Sequence, residues 1–290
     1  MVQTESLKDV LQFYADAGVD IALDKNPRNR LVAASVPAPQ PIPQNSHQPN
    51  DTLSQTTQTV RSQKAPIGEP AQPAQSSAKI AVPHESGVQE AREHAASANS
   101  LDELKELQKA YDGCGLKKTA KTTVFEDGNR KAKIMLIGEA PGRDEDMQGK
   151  PFVGRAGQLL DKMLAAIELD RNNVYIANIL PWRPPGNRTP TVAEMELCKP
   201  FIIRQIELAK PELLVFLGGS SAKNLLETTD GILKLRGKWR AYSTAQIPAL
   251  PTLHPAYLLR QPAQKRLAWR DLLNLKNMAR EKGIFPDADP

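Results

Sequence analysis

Cysteine is scarce in this chain: there are two in 290 residues, Cys114 and Cys198. They allow one disulfide at most, so a disulfide-stapled scaffold is excluded. No apolar run approaches the length needed to cross a bilayer. The first residues, MVQTESLKDVLQFY, lack the basic start and apolar core of a secretory signal. These absences lead us to expect a cytoplasmic protein without membrane attachment, in a compartment that keeps both thiols reduced. Histidine is also sparse. Three of the four, His47, His84 and His94, precede residue 100, which leaves His254 alone in the C-terminal part.

What is abundant is unevenly placed. The stretch from about Pro37 to Ser100 is built from Pro, Gln, Ser, Ala and Thr, with few aromatic or large aliphatic side chains. Such a segment cannot bury enough apolar surface to offset the entropy of ordering. The expected organisation is a short helical segment over residues 1–30, a disordered linker over 31–100 and a catalytic domain over 101–283. In the first segment Leu7, Val10, Leu11 and Tyr14 recur at helical spacing before Gly18. That helix suits docking on its own chain or on a partner protein. The net charge is +5, and residues 101–290 carry 30 Lys+Arg against 23 Asp+Glu. A basic domain is compatible with a nucleic-acid partner, and equally with ordinary solubility.

From Leu101 onward, helical and strand patterns alternate. LDELKELQKAY, AGQLLDKMLAAIEL, TVAEMELCKPFIIRQIELA, SSAKNLLE and QKRLAWRDLLNLKNMAR read as helices. Thr191 and Glu194 are spaced as a capping box. KAKIMLIG, NVYIANIL and PELLVFLG read as buried strands, and ILKLRGKW and IPALPTLH as strand-like. This alternation argues for an α/β fold with a parallel sheet covered on both faces. Sites in such folds lie beyond the carboxyl ends of the strands, which places GEAPG, NILPWRPPGNR, LGGS and HPAYLLR on one rim.

Each of these runs has a chemical and a purely structural reading. Gly138-Glu139-Ala140-Pro141-Gly142 turns tightly and lets a ligand approach the backbone, as ordinary Gly-Pro turns also do. Phe152, in GKPFVGR, suits either an aromatic platform for a base or a core position. Asn178 offers a carbonyl and an NH₂ able to read a base edge, or to tie down the next loop. Gly186-Asn187-Arg188 is suited to phosphate contact. His254 stands at the end of a strand, where a histidine serves structure or catalysis.

Taken together and in order, GEAPG, KPFVGRAGQLL, NILPWRPPGNR and HPAYLLR resemble family 4 uracil-DNA glycosylases, the thermostable-type branch that normally carries an iron–sulfur cluster. The resemblance runs from about Tyr111 to Lys282. It implies a three-layer α/β/α fold around a four-stranded parallel sheet. It also implies hydrolysis of the bond between uracil and deoxyribose in DNA, as the first step of base excision repair. Carried over by motif, Gly138, Ala140 and Pro141 line the uracil pocket, and Phe152 stacks on the flipped base. Asn178 pairs with the uracil edge, and His254 faces uracil O2. Leu258, Leu259 and Arg260 resemble a loop that enters the DNA where the base has left. Arg183, Asn187 and Arg188 are the expected contacts to the DNA backbone.

Two departures accompany the resemblance. Ala140 stands where the better-known branch of the superfamily has a water-activating acid. Glu139 and the run Asp144-Glu145-Asp146 are therefore the candidates for positioning water. Family 4 holds its cluster with four cysteines. Cys114 and Cys198 match two of these, while Tyr111 and Trp182 stand at the other two, so no cofactor is expected and the cluster is taken as lost. Residues 183–191 contain no histidine, which argues against covalent trapping of DNA. No motif supplies a Schiff-base lysine, so the expected enzyme is monofunctional and monomeric, with uracil-containing DNA as its partner. The competing expectations are a catalytically silent DNA-binding module of this fold, a glycosylase for another deaminated base, or an adaptor acting through the N-terminal helix.

Overall fold

The apolar strings IMLIG, VYIAN and LLVFL form the centre of the molecule. In the computed structural model of the protein, residues 85–243 and 245–284 are described. The expected helix within residues 1–30, and residues 31–84 of the expected linker, lie outside them. The three strings become strands β2 (Ile134–Gly138), β3 (Val174–Asn178) and β4 (Leu213–Leu217), and every residue in them is buried. They are flanked by β1 (Asp127–Gly128), β5 (Arg240–Tyr242) and β6 (Ile247–Thr252).

Among the described residues the sheet has six strands in the order β1-β3-β2-β4-β6-β5. β3, β2, β4 and β6 run parallel, while β1 and β5 are antiparallel to their neighbours. The expected four-stranded parallel sheet is thus corrected to a mixed, six-stranded one. The two extra strands, Asp-Gly and Arg-Ala-Tyr, are too short to show a hydrophobic period. Backbone pairing at the sheet edges makes them strands.

Successive strand residues point to opposite faces, and each face has its own core. Met135, Ile137, Tyr175, Ala177, Leu214 and Phe216 face one cluster. Ile134, Leu136, Val174, Ile176, Val215 and Leu217 face the other. The first is covered by α1 (Glu85–Ala96), α2 (Leu101–Ala110), α5 (Val192–Ala209) and α6 (Gly219–Leu226). The second is covered by α4 (Arg155–Ala165), α8 (Pro255–Arg260) and α9 (Lys265–Glu281). Short helices α3 (Arg143–Gln148) and α7 (Ile232–Leu235) complete the set. The capping box at α5 forms: Thr191 Oγ1 accepts from Glu194 N at 3.2 Å and Glu194 Oε2 accepts from Thr191 N at 2.8 Å.

Three expectations change. Residues 85–96, assigned to the linker, form α1, whose small Ala91 and Ala95 are buried against the first cluster. Residues 232–235, expected as strand, form α7. Ile232 and the buried Leu235 are three residues apart, which suits a helix and not an alternating strand. HPAYLLR is a short helix. Pro255 takes the first helical position, where its fixed φ is favourable.

The chain leaves β2 for β3 on one side and reaches β4 on the other. β2 is therefore a topological switch point, and the crevice opens beyond the carboxyl ends of β2, β3, β4 and β6.

Candidate active site

A cavity of about 690 Å³ opens at those strand ends. Glu139, Ala140 and Pro141 form one wall, Phe152 and Asn178 another, and His254, Tyr257 and Arg260 a third. Parallel register sets this arrangement. Gly138 pairs with Asn178 across β2 and β3, and Leu217 pairs with Thr252, two residues before His254.

Gly138 does not line the cavity but is required by it. A Cβ there would lie 2.3 Å from Asn178 Oδ1 and 2.6 Å from Phe152 Cζ. Asn178 is buried, and its Oδ1 has no hydrogen-bond partner. A buried acceptor left unpaired carries the full cost of its desolvation, roughly 1–3 kcal/mol. Within a cavity, that cost is recovered by a ligand that donates to it.

His254 caps α8, and its Nδ1 accepts from Ala256 N at 3.1 Å. With Nδ1 an acceptor, the neutral ring carries its proton on Nε2. Burial, helped by the nearby Arg260 charge, lowers its pKa to about 4, so the neutral donor form prevails at neutral pH. The rings of His254 and Phe152 are 5.5 Å apart at 32°.

Phe152 is held in the left-handed region at φ 54°, a conformation that costs a β-carbon residue energy. Its carbonyl accepts from the Arg171 guanidinium. Gly157 permits the packing, since a Cβ there would sit 1.7 Å from Phe152 O. Glu145 joins this loop to the turn after β2. Its carboxylate accepts from Gly142 N, Val153 N and Gly154 N at 3.1, 3.0 and 2.9 Å.

Of the four acids considered for positioning water, Glu145 is committed to those amides. Asp146 accepts from the amides of Lys121 and Thr122, and Asp144 is exposed outside the cavity lining. Glu139 lines the cavity, and desolvation by burial raises its pKa, opposed by a hydrogen bond with Ser220.

The other expected contacts divide. Asn187 and Arg188 line the cavity mouth. Arg188 is engaged by Glu194 through two hydrogen bonds, at 2.9 and 2.5 Å. Arg183 lies outside the lining and donates to Asn187 Oδ1 at 2.6 Å. Leu259 is 38 % exposed and Arg260 lies at the surface, but Leu258 is only 1 % exposed and belongs to the core. The expected intrusion loop is corrected accordingly: helical geometry turns Leu258 inward and Leu259 outward. Sequence reasoning missed Ile232 and Leu233, which line the facing wall, because they were read as strand. It also missed Gly157, whose role depends on the backbone path of the Phe152 loop, and Arg171, whose partners are distant in sequence.

In the cluster on the sheet face covered by α1, α2, α5 and α6, Tyr111, Cys114, Trp182 and Cys198 are all fully buried. The two thiols are free and hydrogen-bonded to each other. That bond lowers the Cys114 pKa and raises that of Cys198, which burial raises further. Trp182 Nε1 donates to Thr123 Oγ1 at 3.1 Å, and the Tyr111 and Phe201 rings are 5.1 Å apart. A [4Fe–4S] cluster takes four thiolates. Here the donor set is two thiols, an indole that only donates hydrogen bonds, and a phenol whose pKa burial pushes up to about 12. These residues do not fit the cluster. Among the described residues no group of three or more His, Cys, Asp or Glu is arranged to hold a metal ion. Nor is any helix among them long and apolar enough to cross a membrane.

The site is a chamber at the switch point of an α/β sheet, lined by a fixed aromatic, an amide with an unpaired oxygen and a neutral histidine, a set of surfaces suited to a planar polar ring. Comparison with known proteins narrows this. Residues 125–274 match the uracil DNA glycosylase superfamily. The chain is 41% identical over 178 residues to a type-4 uracil-DNA glycosylase of Pyrobaculum aerophilum, covering 59% of this chain and 91% of that protein. It is 40% identical over 194 residues to one of Saccharolobus solfataricus (64% and 88%). It is 34% identical over 186 residues to one of Thermotoga maritima (63% and 96%). The chain belongs to the uracil DNA glycosylase superfamily, in its type-4 branch.

Proposed function

We propose that this chain is a monofunctional uracil-DNA glycosylase that works without an iron–sulfur cluster, leaving an abasic site for base excision repair. The observation that carries the reading is the unpartnered Asn178 Oδ1, buried in a chamber it shares with a neutral, Nε2-protonated His254.

The chemistry follows from the residues. A target inside a duplex must be extruded, at a cost of a few kcal/mol. Phe152 supplies the platform for the extruded ring. Asn178 Oδ1 accepts from uracil N3–H and its NH₂ donates to O4. Cytosine reverses that pattern and leaves buried groups unpaired. As the bond from N1 to the sugar carbon breaks, the electron pair passes into the uracil ring and the sugar gains oxocarbenium character. His254 Nε2–H donates to O2 and stabilises the departing anion. Water adds to the sugar carbon, and its proton is taken by the Glu139 carboxylate. A buried carboxylate with a raised pKa is a stronger base than an exposed one. Leu259 and Arg260 contact the DNA at the chamber mouth, joined by Asn187 and Arg188.

The packed block of Tyr111, Trp182 and the two thiols supports the loss of the cluster. Indole and phenol fill the volume with apolar contact in place of two metal ligands.

The test is alkali-sensitive strand cleavage after incubation with a uracil-containing oligonucleotide, single- and double-stranded. Wild type yields breaks, and Asn178→Ala and His254→Ala each suppress them. Absence of cleavage by wild type on both substrates rejects uracil as the target and moves the assignment to another deaminated base or to a silent binding module.

A further inference from the structure

Helix α9 buries Ala268, Asp271, Leu272, Leu275 and Ala279. Its opposite side exposes Arg266, Trp269, Arg270 and Leu273. Trp269 is 42 % exposed, while Trp182 is 1 % exposed and Trp239 is tied to Asn274 Oδ1 at 2.9 Å. Trp269 is thus the freely exposed indole of the described residues. Arg266 and Arg270 flank it at helical spacing and form no ion pair among the described residues. Between residues 255 and 284 the carboxylates are Glu281 and the buried Asp271, against seven Lys and Arg.

The position of this face relative to the chamber is fixed by Asp271. Its Oδ2 accepts from Thr252 Oγ1 at 2.7 Å, and its carboxylate also pairs with Arg236. Thr252 ends β6, two residues before His254. The second turn of α9 therefore lies level with the strand ends, and Trp269 lies about 3 Å nearer the helix N-terminus, on the opposite, exposed side. A short turn, Pro262–Gln264, joins it to Arg260 at the chamber mouth.

We propose that this face of α9 is a second binding site for single-stranded DNA. Trp269 stacks on an unpaired base flanking the extruded uracil, and Arg266 and Arg270 contact the adjoining phosphates. The charge of the face is complementary to phosphate, and a flat indole on a rigid helix presents its face to an unstacked base. In a duplex the base faces are already occupied, so the arginines find partners there and the indole does not. The assignment rests on the reading of the chain as an enzyme of uracil-containing DNA, and its test begins with DNA that holds no uracil.

Full-length protein is titrated with uracil-free oligothymidylate of about 16 nucleotides while tryptophan emission is followed, for wild type, Trp269→Ala, Trp269→Phe and Arg266→Ser/Arg270→Ser. Steady-state kinetics then compare a long single strand, a strand only long enough to fill the chamber, and a duplex. The expected result is quenching in wild type that is lost in Trp269→Ala, which retains Trp182 and Trp239. On the long single strand, KM rises about tenfold in Trp269→Ala with kcat unchanged. Trp269→Phe restores most of the affinity, and the short strand shows no effect. Quenching that persists in Trp269→Ala overturns the proposal. So does a KM rise of equal size on short strand and duplex, or no change with any DNA, which leaves the face to a protein partner. Because the titration uses uracil-free DNA, it stands apart from whether uracil is the excised base.

Discussion

The chamber lies at the strand ends and the block around Tyr111 in the core on one face of the sheet, and the two differ in what surrounds their buried polar groups. In the block, the two free thiols share a hydrogen bond and the Trp182 N–H has its Thr123 acceptor. Packing there is tight, and His94 Nδ1, whose ring lies 5.8 Å from that of Tyr111, is buried without a partner. In the chamber, Asn178 Oδ1 is buried without a partner, Phe152 sits at positive φ, and Glu139 is held above the usual carboxylate range. The contrast separates two sets of family-motif positions: those that line the chamber, and those around Cys114 and Cys198 that are packed into the core.

That separation is open to direct attack. The largest effect is expected from Trp182→Ala, which removes a fully buried indole and should lower stability by roughly 3–5 kcal/mol. Denaturant titration measures this, and kcat per folded molecule should stay near wild type. A parallel loss of kcat would mean that block and chamber are coupled. Next comes the chamber itself. Asn178→Ala and His254→Ala should each lower kcat by roughly 10²–10³-fold while leaving the unfolding midpoint within a few degrees of wild type.

Glu139→Gln should cost about 10²-fold and also change the pH profile. The base must be ionised to accept a proton, so wild-type activity falls as pH drops through the raised Glu139 pKa, and this limb should vanish in the variant. His254 contributes no limb near pH 6.5, because its pKa lies at about 4. Its lowered value has a linked effect on stability. Between about pH 4 and 6.5 the unfolded chain binds the proton and the folded one does not, so stability declines as pH falls through that window. The smallest effect is expected from Cys114→Ala combined with Cys198→Ala: kcat unchanged within about twofold, and iron in anaerobically purified wild type far below the four per chain of a cluster. Stoichiometric iron in wild type would overturn the cluster-free reading.

The sequence made the central strands plain. IMLIG, VYIAN and LLVFL are unbroken apolar strings of strand length, and burial on both faces is what such strings imply. The α5 capping box was readable because its spacing is local. The site's Asn178, Phe152, Glu139 and His254 were readable through ordered motifs at strand ends. Other features were not. The strands Asp127–Gly128 and Arg240–Tyr242 exist only because a neighbouring edge offers hydrogen bonds. Helix α1 lacks the composition of a core helix and is ordered by where Ala91 and Ala95 pack.

Within the site, spacing named the residues, but the folded backbone gave them their states, through contacts from two residues away (His254 with Ala256) to nineteen (Phe152 with Arg171). Ala256 N sets the His254 tautomer, Arg171 and Gly157 hold Phe152, and Glu145 is spent on backbone amides that its acidic run does not reveal. The sequence by itself determined the local periodicities and the chemical types at the strand ends. The tertiary structure decided which polar groups find partners and which stay open. Pairing depends on distances between segments far apart in the chain, and no local pattern encodes them.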